Sequence, residues 1–154
     1  MTNLIKLTSK NYHSAYTIHC QGHSHPWSKS VFSDCLTDQY EAYGLRQDNE
    51  FIGLYVALFV LDEATLMDIG VSSDMQGKGL SNKLMTHFIT RCVDNNMQCV
   101  WLEVRATNGV AISLYQKQGF ELIERRKGYY DTVDGKEDAL IMKLTLIDIQ
   151  EMSV

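Results

Sequence analysis

Glu103 sits in Trp101-Leu102-Glu103-Val104-Arg105, a run that alternates as a strand does. It shares a face with Trp101 and Arg105, while Val100, Leu102 and Val104 point the other way. A carboxylate in the middle of an apolar strand is costly unless it is hydrated, paired or functional. Glu103 is therefore a solvated residue, a partner for Arg105, or a base. Tyr115 follows Asn108 by about two helical turns, so both project from one side of a helix. Packing against Leu114 and Phe120 is its plainer role. Together, a carboxylate and a phenol suit acyl transfer from a thioester to an amine. The ammonium must lose a proton before it attacks, which a carboxylate can take directly or through water, and a phenol can protonate the departing thiolate. Backbone N–H groups near Gly70 and Val71 could polarise the thioester oxygen.

A second feature fits such a donor if it carries a diphosphate. Asp74-Met75-Gln76-Gly77-Lys78-Gly79-Leu80-Ser81 lies between a strand-like and a helix-like segment. Residues 77–81 would offer unpaired N–H groups at a helix N-terminus, where the dipole also favours an anion. The glycines let backbone approach phosphate closely, and Lys78 adds a mobile positive charge. A merely flexible turn is the alternative. No G-x-x-x-x-G-K-S/T stretch is present, and no G-x-G-x-x-G opens the first βαβ unit.

The elements that must hold these residues are readable from periodicity. A strand at Leu4–Leu7 precedes a helix capped by Thr8 or Ser9, and Ser28 caps a second short helix. Strands follow at Glu41–Arg46, Phe51–Leu61 and Ala64–Val71; on the last, Thr65, Met67, Ile69 and Val71 share one face. Leu80, Leu84, Phe88 and Cys92 recur every four residues, with Met85 and Ile89 filling a helical stripe. A strand at Gln98–Val104 leads to a helix running from Asn108 to Lys117, stopped by Gly119. Two last strands near Leu122–Tyr130 and Ala139–Leu146 flank a polar loop, Asp131–Asp138. The order β-α-α-β-β-β-α-β-α-β-β predicts an α/β fold: a mixed sheet covered on both faces, in a single domain spanning residues 1–154.

Composition narrows the function. The chain has 154 residues, 45% of them hydrophobic, and one proline. A net charge of −5 offers no basic stripe for nucleic acid. No run is long enough to span a bilayer as a helix, and no signal peptide opens the chain. Four cysteines without C-x-x-C spacing read as reduced thiols in a cytoplasmic protein. His23-x-His25 near Cys20 reads as loop histidines rather than a metal site. Arg125-Arg126 reads as a solvated strand pair. Trp27 and Tyr130, with Tyr129, have polar neighbours and suit the lining of an acceptor groove.

Gln76-Gly77-Lys78-Gly79-Leu80-Ser81 resembles the Gln/Arg-x-x-Gly-x-Gly/Ala signature of the GCN5-related N-acetyltransferases, with Ser81 departing from the small final residue. Further blocks extend the resemblance over nearly the whole chain, in one order. They are His25-Pro26-Trp27-Ser28, Leu61-Asp62-Glu63-Ala64, Trp101 to Ala106, Asn108, Leu114-Tyr115, Gly119-Phe120, Arg125-Arg126, Tyr129-Tyr130 and Asp134 to Ala139. The collection is similar to the branch of that family that acetylates the N-terminal alanine of a small-subunit ribosomal protein. The resemblance implies the family's mixed, mostly antiparallel sheet, with acetyl-CoA as donor and no metal. It implies that Ile69, Gly70 and Val71 pair with the pantetheine arm, and that Gln76 through Ser81 wrap the pyrophosphate. Asn108 becomes a coenzyme ligand, Glu103 the general base and Tyr115 the general acid. No cysteine falls on the Glu103 face or beside the loop, so transfer is expected to be direct, within a ternary complex. A different amine acceptor, or an acyl-CoA sensor without activity, are the competing functions.

Overall fold

Short apolar runs punctuated by turn residues build the seven strands of this molecule. The computed structural model describes residues 1–133 and 135–146. In chain order the elements are β1 (Thr2–Lys6), α1 (His13–Gln21), α2 (Lys29–Asp34), β2 (Tyr40–Gln47), β3 (Glu50–Val60) and β4 (Glu63–Val71). A 3₁₀ turn, Ser73–Met75, leads into α3 (Leu80–Asp94), β5 (Cys99–Arg105), α4 (Gly109–Lys117), β6 (Glu121–Thr132) and β7 (Gly135–Thr145). The seven strands form one sheet in the order β1-β2-β3-β4-β5-β7-β6. Every neighbouring pair is antiparallel except β4 with β5, which are joined by the α3 crossover. The sheet is therefore mixed and mostly antiparallel, as expected.

The helices divide between its faces. Leu84, Met85, Phe88 and Cys92 of α3 are fully buried with Tyr55, Val100, Leu102 and Met142, and Tyr115 of α4 joins the same core. Ala15 and Ile18 of α1 and Phe32 of α2 pack on the other face against Leu54 and Val56. Ser28 caps α2 as expected, its hydroxyl accepting the Val31 N–H at 3.2 Å. Asn108 caps α4 through the Ala111 N–H, and Gly119 takes a φ of +102° just past its end. No helix among the described residues is long and apolar enough to cross a membrane.

Three boundaries differ from the sequence expectation. The first helix begins at His13 rather than after Thr8, because the Asn11 side chain ties residues 6–11 into a turn. Its Oδ1 accepts the Thr8 N–H, and its Nδ2 donates to the Lys6 carbonyl. The polar stretch 131–138 is a hairpin rather than a loop, since Asp131 pairs with Lys136 and Thr132 with Gly135; Asp134 lies outside the described residues. The faces of β4 also change partway along. Val56 pairs with Asp68 but Ala57 with Leu66, so Met67 is the extra residue of a β-bulge. Met67 and Asp68 both turn toward α1, whereas Ile69 and Val71 pack on the α3 side.

Candidate active site

The bulge has a partner feature. β4 and β5 pair in parallel only from Glu63/Cys99 to Leu66/Leu102. Beyond that point the strands separate, and a cleft of about 1720 Å³ opens between Met67–Val71 on one wall and Glu103–Arg105 on the other. Its size exceeds what a drug-sized ligand needs and suits two ligands meeting end to end.

One end of the cleft is prepared for an anion. Gly77 and Gly79 adopt φ of +79° and +75°, and Gly79 is the left-handed N-cap of α3. A Cβ built on either meets nothing within 4 Å, so the space beside them is open. Among the described residues, no hydrogen bond engages the backbone N–H groups of Gly77 and Gly79. The Gln76 side chain folds back to the Val71 carbonyl at 3.4 Å, fixing the loop to the end of β4. Ser81 borders the same space, and Leu80 does so while being mostly part of the core. Lys78 differs from expectation: it does not border the cleft, and its Nζ lies 3.8 Å from Met75 Sδ.

The acid and base candidates face the same space. Glu103 is exposed, with its neighbours Leu102 and Val104 buried on the opposite face, as the alternation predicted. It accepts a hydrogen bond from the Tyr130 hydroxyl. Burial and that bond to Glu103 hold the Tyr130 phenol well above its ordinary value, so it remains a donor. Arg105 does not pair with Glu103. It bonds Glu137 at 3.1 Å and lies over the Tyr130 ring at 4.2 Å, while Glu137 also accepts from the Thr107 hydroxyl. The β6–β7 hairpin is thereby clamped to the end of β5, with Tyr130 set against Glu103. Tyr115 is buried against Phe120 yet reaches the cleft. Burial, reinforced by the charge of Asp68, pushes its phenol up to about 12, so it keeps its proton at neutral pH. Asn108 borders the cleft too, though its side-chain oxygen is already engaged as the α4 cap.

Sequence reasoning missed a cluster on the opposite wall. Asp68 is 8% exposed and accepts from His19 Nδ1 at 2.7 Å and His23 Nε2 at 2.8 Å. Burial alone would push this carboxyl up, but the two imidazole hydrogen bonds outweigh it and hold Asp68 below its ordinary value. His19 Nε2 accepts the Trp27 backbone N–H at 3.0 Å, and the His19 ring stacks on the Trp27 indole. Trp27 thus borders the cleft, placed by His19 and by the Tyr16 hydroxyl on its carbonyl. The available signal was the one that singled out Glu103, a carboxylate inside an apolar strand. Among the described residues His25 bonds only its neighbour Ser24, so the pair considered from sequence does not assemble. His19, His23 and Asp68 do place potential ligand atoms within 4.8 Å of one another. The Trp27 amide argues against a metal there. An ion on His19 Nδ1 would leave the ring proton on Nε2, facing another N–H.

Sheet, separated strands and an open helix N-terminus define a class: an α/β protein with a cleft between β4 and β5 shaped for an extended ligand. Comparison with known proteins narrows the class. Residues 4–120 match the acetyltransferase (GNAT) family model. The [ribosomal protein bS18]-alanine N-acetyltransferase of Escherichia coli K12 is 37% identical over 146 residues, covering 95% of this chain and 99% of the relative. The crystal structure of the E. coli ribosomal-protein-S18-alanine N-acetyltransferase superposes with a TM-score of 0.90 over 94% of both chains. A GNAT family acetyltransferase from Elizabethkingia anophelis, solved with acetyl-CoA bound, shares the fold at 19% identity and a TM-score of 0.75, over 94% of this chain and 98% of that one. The chain belongs to the GNAT acetyltransferase family.

Proposed function

We propose that this protein transfers the acetyl group of acetyl-CoA to the N-terminal alanine amine of a small-subunit ribosomal protein, by direct attack in a ternary complex. The reading treats residues 1–154 as one catalytic domain and places its work in the cytoplasm, where such an acceptor is made. One observation carries the chemistry: Glu103, Tyr115 and the anion-ready start of α3 all border the cleft where β4 and β5 part. The acceptor is inferred from the 37% identity to the E. coli bS18 enzyme over nearly all of both chains.

The donor fits the residues present. Its diphosphate would lie on the N–H groups around Gly77, Gly79 and Ser81, where a side chain on either glycine would intrude. Its pantetheine arm would take up the backbone groups of Ile69–Val71 that no longer face β5. Asn108 would contribute its amide nitrogen near the thioester. At the far end, Trp27 and Tyr130 line the approach of the peptide. Glu103, steadied by Tyr130, takes the proton of the incoming ammonium, directly or through water. As the C–N bond forms and the C–S bond breaks, Tyr115 donates its phenolic hydrogen to the developing thiolate.

Mass spectrometry of ribosomal proteins incubated with the enzyme and acetyl-CoA tests the reading. One acetyl group is expected on the N-terminal peptide of an alanine-starting small-subunit protein. Acetylation confined to lysine side chains would reject the acceptor, and so would equal activity on an N-blocked, lysine-containing peptide.

A further inference from the structure

The proton balance of the proposed reaction leaves one carrier unassigned. An ammonium that becomes an amide loses two protons from nitrogen, and the thiolate gains one. Tyr115 supplies the sulfur, and Glu103 takes one of the nitrogen protons. We propose that His23, oriented by Asp68, is a second proton acceptor for the acceptor nitrogen, on the wall of the cleft opposite Glu103. The inference rests on the transfer reaction proposed above.

Geometry carries it. His23 borders the cleft, with 41% of its side chain exposed. Its Nε2 faces Asp68 Oδ1 at 2.8 Å, so the neutral ring carries its proton on Nε2 and keeps a lone pair on Nδ1. No described residue occupies that Nδ1. Asp68 is itself fixed. It is buried on β4, its other oxygen accepts from His19 Nδ1, and His19 is held in that tautomer because its Nε2 accepts the Trp27 N–H. This is the arrangement by which a buried carboxylate sets the tautomer of a catalytic imidazole and stabilises its protonated form. A structural role for the bulge alone does not require a carboxylate there, because an apolar side chain would suit a buried site beside the α1 face without two histidines.

The charged and titratable groups facing His23 are Asp68 on β4, Arg105 on β5 and the neighbouring His19 on α1, with Tyr115 on α4 sensing Asp68. The Asp68 hydrogen bond raises the imidazole, while burial and Arg105 work against it. The net rise brings its proton affinity closer to that of an α-amine, where transfer between the two is best matched. In the step itself, an N–H bond of the acceptor breaks and its proton bonds to His23 Nδ1. The imidazolium then releases it to solvent through its exposed edge, while the proton on Glu103 returns through water to the Tyr115 phenolate, so one proton is released net per turnover.

The test compares His23→Gln, Asp68→Asn and Glu103→Gln in the full chain, with acetyl-CoA and an alanine-starting peptide. Wild-type kcat should fall at acid pH as His23 protonates. His23→Gln should lower kcat by about 100-fold and remove that limb. Asp68→Asn keeps the shape but offers an N–H to His23 Nε2, which moves the ring proton to Nδ1; it should lose as much activity with acetyl-CoA affinity unchanged. Glu103→Gln should lose activity but retain the limb. If Glu103→Gln is impaired while His23→Gln and Asp68→Asn keep wild-type kcat and the limb, the His23 proposal is overturned and the transfer reaction stands. If the peptide is not acetylated but a small amine is, the acceptor assignment falls and the same variants judge His23 on that amine. Imidazole ¹⁵N NMR of wild type and Asp68→Asn reads the His23 tautomer without turnover, and an unchanged tautomer also overturns the proposal.

Discussion

Gly79→Ala separates the backbone role of the α3 N-cap from its role toward a ligand. Gly79 holds φ +75° and ψ +14°, the left-handed region, where an L-residue costs about 1–2 kcal/mol. No atom lies within 4 Å of the added methyl, so no clash adds to that cost in the free protein. For a chain of this length each kcal/mol lowers Tm by about 2–4 °C, so a fall of about 2–8 °C is expected. The methyl would occupy the space in which a diphosphate meets the loop. Losing one hydrogen bond to a charged group, worth about 1.5–3 kcal/mol, raises Kd about 10- to 150-fold. Calorimetric titration with acetyl-CoA and thermal unfolding measure the two effects separately. Gly135→Ala is the control: φ is +128° there, at the hairpin tip and away from the cleft, so stability should drop with Kd unchanged. A Gly79→Ala protein that loses stability but binds acetyl-CoA normally would refute the cradle.

Glu103→Gln should cut turnover, with part of the loss recovered at high pH as the acceptor amine deprotonates itself; a deficit constant across pH would remove Glu103 as base. Tyr115→Phe should lower kcat and leave acetyl-CoA affinity intact, and normal turnover would end its assignment as acid. The pairing of buried Asp68 with half-exposed His23 also affects stability. Asp68 is depressed in the fold, so its contribution is present above its unfolded value and lost as pH falls through its folded one. His23 is raised, so its contribution is complete below about 6.5 and declines as pH climbs through its folded value. Chemical denaturation across pH should show both slopes in the wild type. Asp68→Asn should flatten them, and a variant with the wild-type pH dependence would contradict the pairing.

Regular periodicity made much of the site legible. The α3 stripe and the glycine loop before it were readable because nothing interrupts the helical repeat from Leu80 to Cys92. The face of Glu103 was readable because β5 pairs with β7 without a register shift from Cys99 to Arg105. β4 was misread from its midpoint because alternation assumes an unbroken pleat, and the bulge at Met67 reverses it. His19 and Asp68 lie 49 positions apart, so their pairing belongs to the packing of α1 on the sheet and leaves no local pattern. Arg105 was weighed as a partner of its near neighbour Glu103, but the hairpin brings Glu137 to it from 32 positions away.

The bulge at Met67 also explains why donor and acceptor ends meet at one point. Without it, Asp68 would continue the alternation from Leu66 and would not share the α1 face with Met67. The extra residue puts Asp68 on the α1 face beside His19 and His23, and sets Ile69 and Val71 on the α3 face leading to Gly77 and Gly79. It falls where the parallel pairing of β4 with β5 ends at Leu66 and Leu102, so the strands part where the change of face occurs. Glu103 is the first β5 residue past that point and Asp68 lies just past it on β4. The two carboxylates therefore flank the start of the cleft from opposite strands, with Tyr115 feeling the charge of the buried one. A single inserted residue in β4 thus opens the slot for an extended donor and sets titratable groups on both of its walls.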